Sequence, residues 1–135
     1  MRESVFSKMV QGKVHFDKFY EDDLTVAWLD QHPLTKGHTQ VIPKQQIAKL
    51  EDCPPQLYAA IFATVYKVSH QLIKKLKPLR IAVVVHGLEV PHAHVHVVPL
   101  YTGEEMNFLA DRRLPDASVH ELKTLAKQLA FDRIG

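Results

Sequence analysis

The chain has 135 residues, a length that suits one domain with a hydrophobic core. Hydrophobic residues make up 46% and charged residues 24% of it, which excludes a disordered, collagen-like or coiled-coil protein. The 17 basic and 15 acidic side chains leave a net charge of +2, which is too balanced for a protein that coats nucleic acid or for a polybasic membrane anchor.

Cysteine count and hydropathy exclude further classes. Cys53 is the only cysteine, so no intrachain disulfide framework or multi-cysteine zinc cluster is possible. No apolar run approaches the roughly 20 residues of a spanning helix, and the first residues lack the apolar stretch of a signal peptide. We therefore expect a cytoplasmic protein, with neither a membrane nor a nucleic-acid polymer as its partner.

The first third of the chain predicts a helix and three strands. The elements are a short helix with Val5, Phe6 and Met9 on its apolar side and Gly12 after it, and strands at 14–20, 24–30 and 38–43. A polar turn at 21–23 joins the first two strands as a hairpin. Because side chains alternate along a strand, Trp28 and Asp30 are expected on the same face.

The remaining sequence predicts a long helix, two strands and a final helix. Apolar residues recur at three- and four-residue steps from Leu57 to Leu76, after Pro54 and Pro55 and before Pro78. The apolar run 81–85 predicts a buried central strand, 92–100 an alternating strand, and 118–129 a capped helix. Short connections favour an α+β domain with a mainly antiparallel five-stranded sheet, one long helix and shorter terminal helices.

Histidine is the unusual residue in this composition. The chain has nine, of which His86, His92, His94 and His96 lie within eleven positions. Histidines at i, i+2 and i+4 of a strand project from one face, roughly 6.5 to 7 Å apart along it. An imidazole has one donor and one acceptor nitrogen and a pKa of about 6.5, so it serves as nucleophile, base or acid near neutral pH.

Three interpretations of this row compete on the residues alone. The histidines could occupy the solvent face of a strand, or form a metal site, because His-x-His is a known ligand spacing. A metal site needs further ligands, and Glu104 and Glu105 lie eight and nine residues past His96. The third interpretation, nucleophilic catalysis on phosphorus, is favoured.

The run from His92 to Pro99, HAHVHVVP, resembles the His-x-His-x-His signature of the histidine triad family. Asp30 with residues 33–44 is similar to the family's upstream segment, and residues 87–91 to the loop that enters the triad strand. The resemblance covers most of residues 5 to 100, and we interpret 1–135 as a single histidine triad domain. It implies a nucleotide hydrolase or nucleotidyl transferase that cleaves at the α-phosphate of nucleoside phosphoramidates or dinucleoside polyphosphates.

The resemblance also implies catalytic roles. His94 would be the nucleophile and form a covalent nucleotidyl-imidazole, with its other ring nitrogen bonded to a backbone carbonyl. His96 would contact the phosphoryl oxygens or help to protonate the leaving group, and His92 and His38 would orient the row. Two alternatives remain, namely a nucleotide-binding protein with little turnover and a metal-dependent hydrolase that uses the His-x-His strand.

The resemblance further implies a nucleotide site and a homodimer. Asp30 would accept hydrogen bonds from the ribose hydroxyls of a purine nucleotide, and Trp28, Phe6 and Met9 would lie against the base. Two further predicted nucleotide-binding residues belong to the segment before the triad, His86 at an amide-like position and Glu89 in a loop shorter than in many members. Some relatives hold zinc through cysteine or histidine near the N-terminus, but Ser7 stands at one such place here, so we expect no metal and no cofactor.

Overall fold

The computed structural model describes residues 2–107 and 114–132. The chain divides into two compact units, Met1–Glu105 and Met106–Gly135, and the single domain over 1–135 stays a prediction. The first unit contains α1 (Val5–Val10), β1 (Lys18–Glu21), β2 (Thr25–Leu29), β3 (Thr39–Pro43), a 3₁₀ turn (Leu50–Asp52), α2 (Pro55–Leu76), β4 (Arg80–Val84) and β5 (Val95–Leu100). The second unit contains α3 (Val119–Leu129).

The five strands form one sheet in the order β1-β2-β3-β5-β4, and every neighbouring pair is antiparallel. The predicted α+β class with a five-stranded antiparallel sheet and one long helix is confirmed. Among the described residues, no helix is both long and apolar enough to cross a membrane.

The sheet separates two apolar clusters. Odd-numbered side chains, including Ala27, Val41 and Val95, pack against α2. Even-numbered side chains on the opposite face, with Val26, Trp28 and Ile42 among them, pack with Phe6 of α1. This second face also carries the histidine row, so α1 and the candidate site lie on the side of the sheet away from α2.

Helix α2 has the predicted boundaries within one residue. Pro55 occupies its first turn, where a missing N–H costs nothing, and Lys74 and Lys75 lie in its last turn, where cations favour the negative helix end. Lys77 closes it in the left-handed conformation, at φ 53°, directly before Pro78. The C-terminal helix also begins as predicted, since the Ser118 side chain accepts a hydrogen bond from the Glu121 N–H.

Three predicted strands differ from those observed. The apolar run 81–85 is wrong as a buried central strand, because β4 lies at the sheet edge, with Val83 exposed within it and Val85 exposed directly after it. The strand predicted at 14–20 begins only at Lys18, and the strand predicted from His92 begins at Val95. His92 and Ala93 direct their N–H groups to Val90 O and Ile47 O instead of a ladder partner.

Candidate active site

The sheet register places one candidate residue on each of the two strands that flank β3, with an unpredicted residue of β3 between them. Gln40 of β3 lies directly opposite Trp28 of β2 and His96 of β5. Directly paired residues share a face, so Trp28, Gln40 and His96 form a row across the sheet. Asp30 and His38 lie at the ends of β2 and β3, where Asp30 N–H donates to His38 O at 2.9 Å.

His92 is completely buried and held at both ring nitrogens. Nε2 lies 2.7 Å from Pro43 O, a pure acceptor, so Nε2 carries the hydrogen. Nδ1 is therefore the acceptor, and Ser4 Oγ donates to it at 2.8 Å. Ser4 Oγ in turn accepts from the Ser7 N–H at 2.9 Å, so the N-cap of α1 is tied to the first histidine of the row.

The His94 ring is fixed by the backbone of His92. Its Nδ1 lies 2.7 Å from His92 O, so Nδ1 donates and Nε2 keeps a free lone pair. The Phe6 ring stands edge-on to the imidazole, with ring centroids 5.2 Å apart. A neutral imidazole with a bare Nε2 is the form that a nucleophilic histidine needs.

His38 and His96 are joined by a hydrogen bond whose donor and acceptor can be assigned. The Leu34 N–H donates to His38 Nδ1 at 3.0 Å, so the hydrogen of His38 lies on Nε2. His38 Nε2 donates to His96 Nδ1 at 2.9 Å, which leaves the hydrogen of His96 on Nε2. The His94 and His96 ring centroids are 5.1 Å apart, so the ring with the bare nitrogen and the ring with the N–H donor are neighbours.

Burial keeps most of this row neutral. It lowers the pKa of His96 to about 4, with further lowering by His94 and His38 that Asp30 only partly offsets. Burial also lowers the pKa of His38 against the opposing effect of Asp30, and burial lowers that of His92. At neutral pH the imidazoles of His96, His38 and His92 are therefore uncharged in the free protein, and they act as hydrogen-bond donors and acceptors.

Asp30 is held by one donor at each oxygen. Oδ1 accepts from the His32 N–H at 2.8 Å, and Oδ2 accepts from Gln40 Nε2 at 2.7 Å. Burial by itself raises the pKa of Asp30, but these hydrogen bonds and the nearby histidines lower it below its ordinary value. The group is thus a carboxylate whose remaining lone pairs can accept from ligand hydroxyls.

The predicted base-contacting residues form a buried cluster. Trp28 is 2% exposed and Phe6 7%, and their rings meet edge to face at 5.1 Å. Met9 packs against the same cluster and is partly buried. In this structure the Trp28 ring is therefore covered by protein, and its predicted contact with a base stays a prediction.

The loop before the triad carries the two remaining predicted residues. His86 is exposed and stacks on His96, with centroids 5.7 Å apart. Glu89 is exposed, and no hydrogen bond to it occurs within the described part of the chain. A cavity of about 180 Å³ opens between this loop and the 3₁₀ turn, with His86, Leu88, Leu50 and His94 in its lining. It is smaller than a typical ligand pocket of about 300 Å³ or more, so it could hold only part of a nucleotide.

One group among the described residues has a donor set that suits a metal ion. Asp30, His38 and His96 each offer one ligand atom, all within 4.8 Å of one another. Coordination would need a lone pair on His38 Nε2, but the Leu34 N–H keeps the hydrogen there. Near the N-terminus, Ser7 Oγ donates to Gln46 Oε1 at 2.9 Å, and hydroxyl, amide and an already bonded imidazole do not fit a structural zinc site.

Several site residues were missed by the sequence prediction. Ser4 and the Leu34 N–H orient histidines, Gln46 accepts from Ser7 Oγ beside them, and Gln40 holds Asp30. Only Gln40 carries a local signal, since it is a polar residue in the apolar strand segment before Val41 and Ile42.

Comparisons with known proteins agree with this fold. The HIT domain family model matches residues 11–103. An uncharacterized HIT-like protein of Borreliella burgdorferi is 29% identical, over 98% of this chain and 99% of its own. The adenylylsulfatase HINT3 of Arabidopsis thaliana is 33% identical over 70% of this chain and 51% of its own. A crystal structure from Streptococcus mutans superposes with a TM-score of 0.82 at 32% identity, over 96% of this chain and 84% of that one.

The chain belongs to the HIT family, the histidine triad proteins. This match confirms the resemblance seen in the triad motif. The family is one of nucleotide hydrolases and nucleotidyl transferases.

Proposed function

We propose that the protein hydrolyses nucleotidyl bonds at the α-phosphate of nucleoside phosphoramidates or dinucleoside polyphosphates through a covalent intermediate on His94. The observation that carries the proposal is the 2.7 Å hydrogen bond from His94 Nδ1 to His92 O, which leaves Nε2 unprotonated. Without such a bond, an imidazole exchanges between two tautomers, and in one of them Nε2 carries the hydrogen and cannot attack. The bond to His92 O favours the reactive tautomer.

The first step forms the bond between His94 Nε2 and phosphorus and breaks the bond from phosphorus to the leaving group. The leaving group keeps the electron pair of the broken bond and takes a proton from water. The His94 ring gains positive charge in the adduct, and its hydrogen bond to His92 O becomes charge-assisted and stronger. The second step reverses these changes: water attacks phosphorus, the bond to Nε2 breaks, and the nucleotide and one proton leave.

His96 supports this chemistry as a hydrogen-bond donor. Its hydrogen lies on Nε2 because Nδ1 accepts from His38. A pKa of about 4 means that the free protein holds His96 neutral, and a neutral imidazole that surrendered this hydrogen would become an imidazolate. We therefore assign His96 Nε2 to the phosphoryl oxygens, whose negative charge grows as the bonds exchange.

Asp30 is proposed to bind the ribose, and Trp28 with Phe6 and Met9 to border the base of a purine nucleotide. Asp30 supports this role because it is an ionised carboxylate with free lone pairs on both oxygens, beside the row of histidines. His86 is proposed to lie near the phosphate, since its ring stacks on His96. Glu89, as an exposed carboxylate, is proposed to face the leaving group rather than the phosphate.

Two assembly and location proposals accompany this function. We propose a homodimer in the cytoplasm, and the dimer is supported by the edge position of β4, whose apolar Val83 is 46% exposed beside Val85 and Leu79. Sedimentation equilibrium of the full chain tests the dimer, and a concentration-independent monomer mass would reject it.

Turnover of adenosine phosphoramidate and diadenosine polyphosphates by the purified protein tests the proposed activity. We expect H94A to lose turnover by a factor of about a thousand or more, because the covalent route disappears. The matched control is H70A, since His70 is an exposed histidine of α2 on the other side of the sheet.

The same assay separates the alternatives. Unchanged turnover in H94A would reject the nucleophile, and nucleotide binding without product would establish the binding protein instead. Loss of activity on chelation, with metal in the purified protein, would establish a metal-dependent hydrolase.

A further inference from the structure

Gln40 is the one described residue with a buried side-chain atom that lacks a hydrogen-bond partner. The residue is 8% exposed and lies on β3 between Trp28 and His96. Its Nε2 donates to Asp30 Oδ2 at 2.7 Å, while its Oε1 is buried and unpaired. The amide orientation is fixed chemically, because the opposite orientation would turn the carbonyl oxygen toward a carboxylate.

Stability does not explain a glutamine at this position. An unpaired buried acceptor costs free energy, whereas a methionine of similar length would fill the space without that cost. The group that gains from Gln40 is Asp30, which receives a hydrogen bond it cannot obtain from an apolar residue. An unsatisfied buried group in a folded protein calls for a specific explanation, and a functional role is one such explanation.

The hydrogen bond fixes the plane of the Asp30 carboxylate. The His32 N–H at 2.8 Å holds Oδ1, and Gln40 Nε2 holds Oδ2, so rotation about the carboxylate axis would break both bonds. Each oxygen keeps a lone pair, and the two oxygens together can accept from two neighbouring hydroxyls. A carboxylate fixed in this way matches a vicinal diol, the 2′,3′-diol of ribose, better than a single hydroxyl.

We propose that Gln40 is a positioning residue that sets ribose specificity, because its amide holds Asp30 in the orientation that accepts from both ribose hydroxyls. The proposal rests on the proposed function, in which Asp30 binds the ribose. The distinctive consequence is a preference for ribonucleotides over 2′-deoxyribonucleotides that depends on Gln40.

Calorimetric titration with adenosine monophosphate and its 2′-deoxy form tests the proposal in the wild-type protein and in Q40M. We expect wild type to prefer the ribonucleotide about tenfold, which is the effect of one hydrogen bond to a charged group. In Q40M we expect that ratio to fall toward one, through weaker ribonucleotide binding, while the melting temperature stays equal or rises. The control is Q71M, in which an exposed glutamine of α2 is replaced.

The variant Q40E provides a second measurement that a purely structural role would not change. It places a second carboxylate against Asp30, so we expect weak ribonucleotide binding at neutral pH that recovers as the pH falls and one proton bridges the pair. A pH-independent affinity in Q40E would contradict the role, and so would a ribonucleotide preference that survives in Q40M.

The outcomes separate this proposal from the proposed function. Binding with normal discrimination but no turnover rejects only the hydrolase, and turnover with unchanged discrimination in Q40M rejects only the role of Gln40. Failure of the wild-type protein to bind either nucleotide rejects both.

Discussion

Replacement of Ser4 by alanine removes the donor that holds the first histidine of the triad. In wild type, Ser4 Oγ donates to the buried His92 Nδ1 at 2.8 Å and accepts from the Ser7 N–H at 2.9 Å as the N-cap of α1. Loss of an N-cap costs about 1 kcal/mol. An unpaired buried polar atom costs about 1 to 3 kcal/mol. We therefore expect S4A to lose about 2 to 4 kcal/mol of unfolding free energy.

Ser7 cannot compensate for this loss. Its Oγ lies 3.3 Å from His92 Nδ1, but its hydrogen is directed to Gln46 Oε1 at 2.9 Å. Urea denaturation of wild type, S4A and the conservative variant S4T measures the effect, and S4T should recover most of the stability because it keeps the hydroxyl. The S4A/S7A double variant should lose less than the sum of the single losses, since both hydroxyls belong to one network.

The reasoning fails if S4A loses less than about 0.5 kcal/mol, which is the range of ordinary surface substitutions. A loss of full size in S4T would also contradict it, since the effect would then come from packing and not from the hydroxyl. Nitrogen-15 chemical shifts of His92 provide an independent readout, because its Nδ1 should lose its hydrogen bond in S4A but not in S4T.

Two further outcomes follow from the structure. G37A should destabilise the protein more than G12A. Both glycines have positive φ, but only at Gly37 would an added Cβ meet a neighbour, Leu76 Cδ1 at 2.5 Å. Equal losses of stability in thermal denaturation would contradict this close approach. The half-buried, neutral His96 should make stability fall as the pH drops from about 6.5 to about 4, because the unfolded chain binds a proton that the folded site resists. Urea titrations across that window in wild type and H96N should show a smaller fall in the variant, and an equal fall would refute the assignment to His96.

Local sequence patterns predict helices and strands well where one face of the helix or strand packs against another part of the protein. The periodicity of α2 and the hairpin residues define their elements within a few positions, because amphipathic spacing and turn chemistry act over short stretches. Strand order depends on long-range pairing, so the apolar run at 81–85 predicts a central strand, whereas β4 lies at the sheet edge and β5 takes the place beside β3.

The candidate site likewise contains some residues that the sequence reveals and others that it does not. The triad motif and Asp30 are visible in the sequence as a pattern of residue types. The residues that orient them are not, because Ser4 meets His92 across 88 positions and Gln40 meets Asp30 through strand register. The hydrogen locations on His38 and His94 depend on backbone groups, which no side-chain pattern reveals.

Mass spectrometry of a quenched reaction tests the central role of His94 most directly. The protein is mixed with adenosine phosphoramidate, stopped at short times and digested, with H94A and H70A treated in parallel. We expect a nucleotidyl group on His94 in wild type and H70A, formed and lost at rates that match turnover, and no adduct in H94A. An adduct on His92, His96 or His38, or turnover without any adduct on His94, would contradict the mechanism.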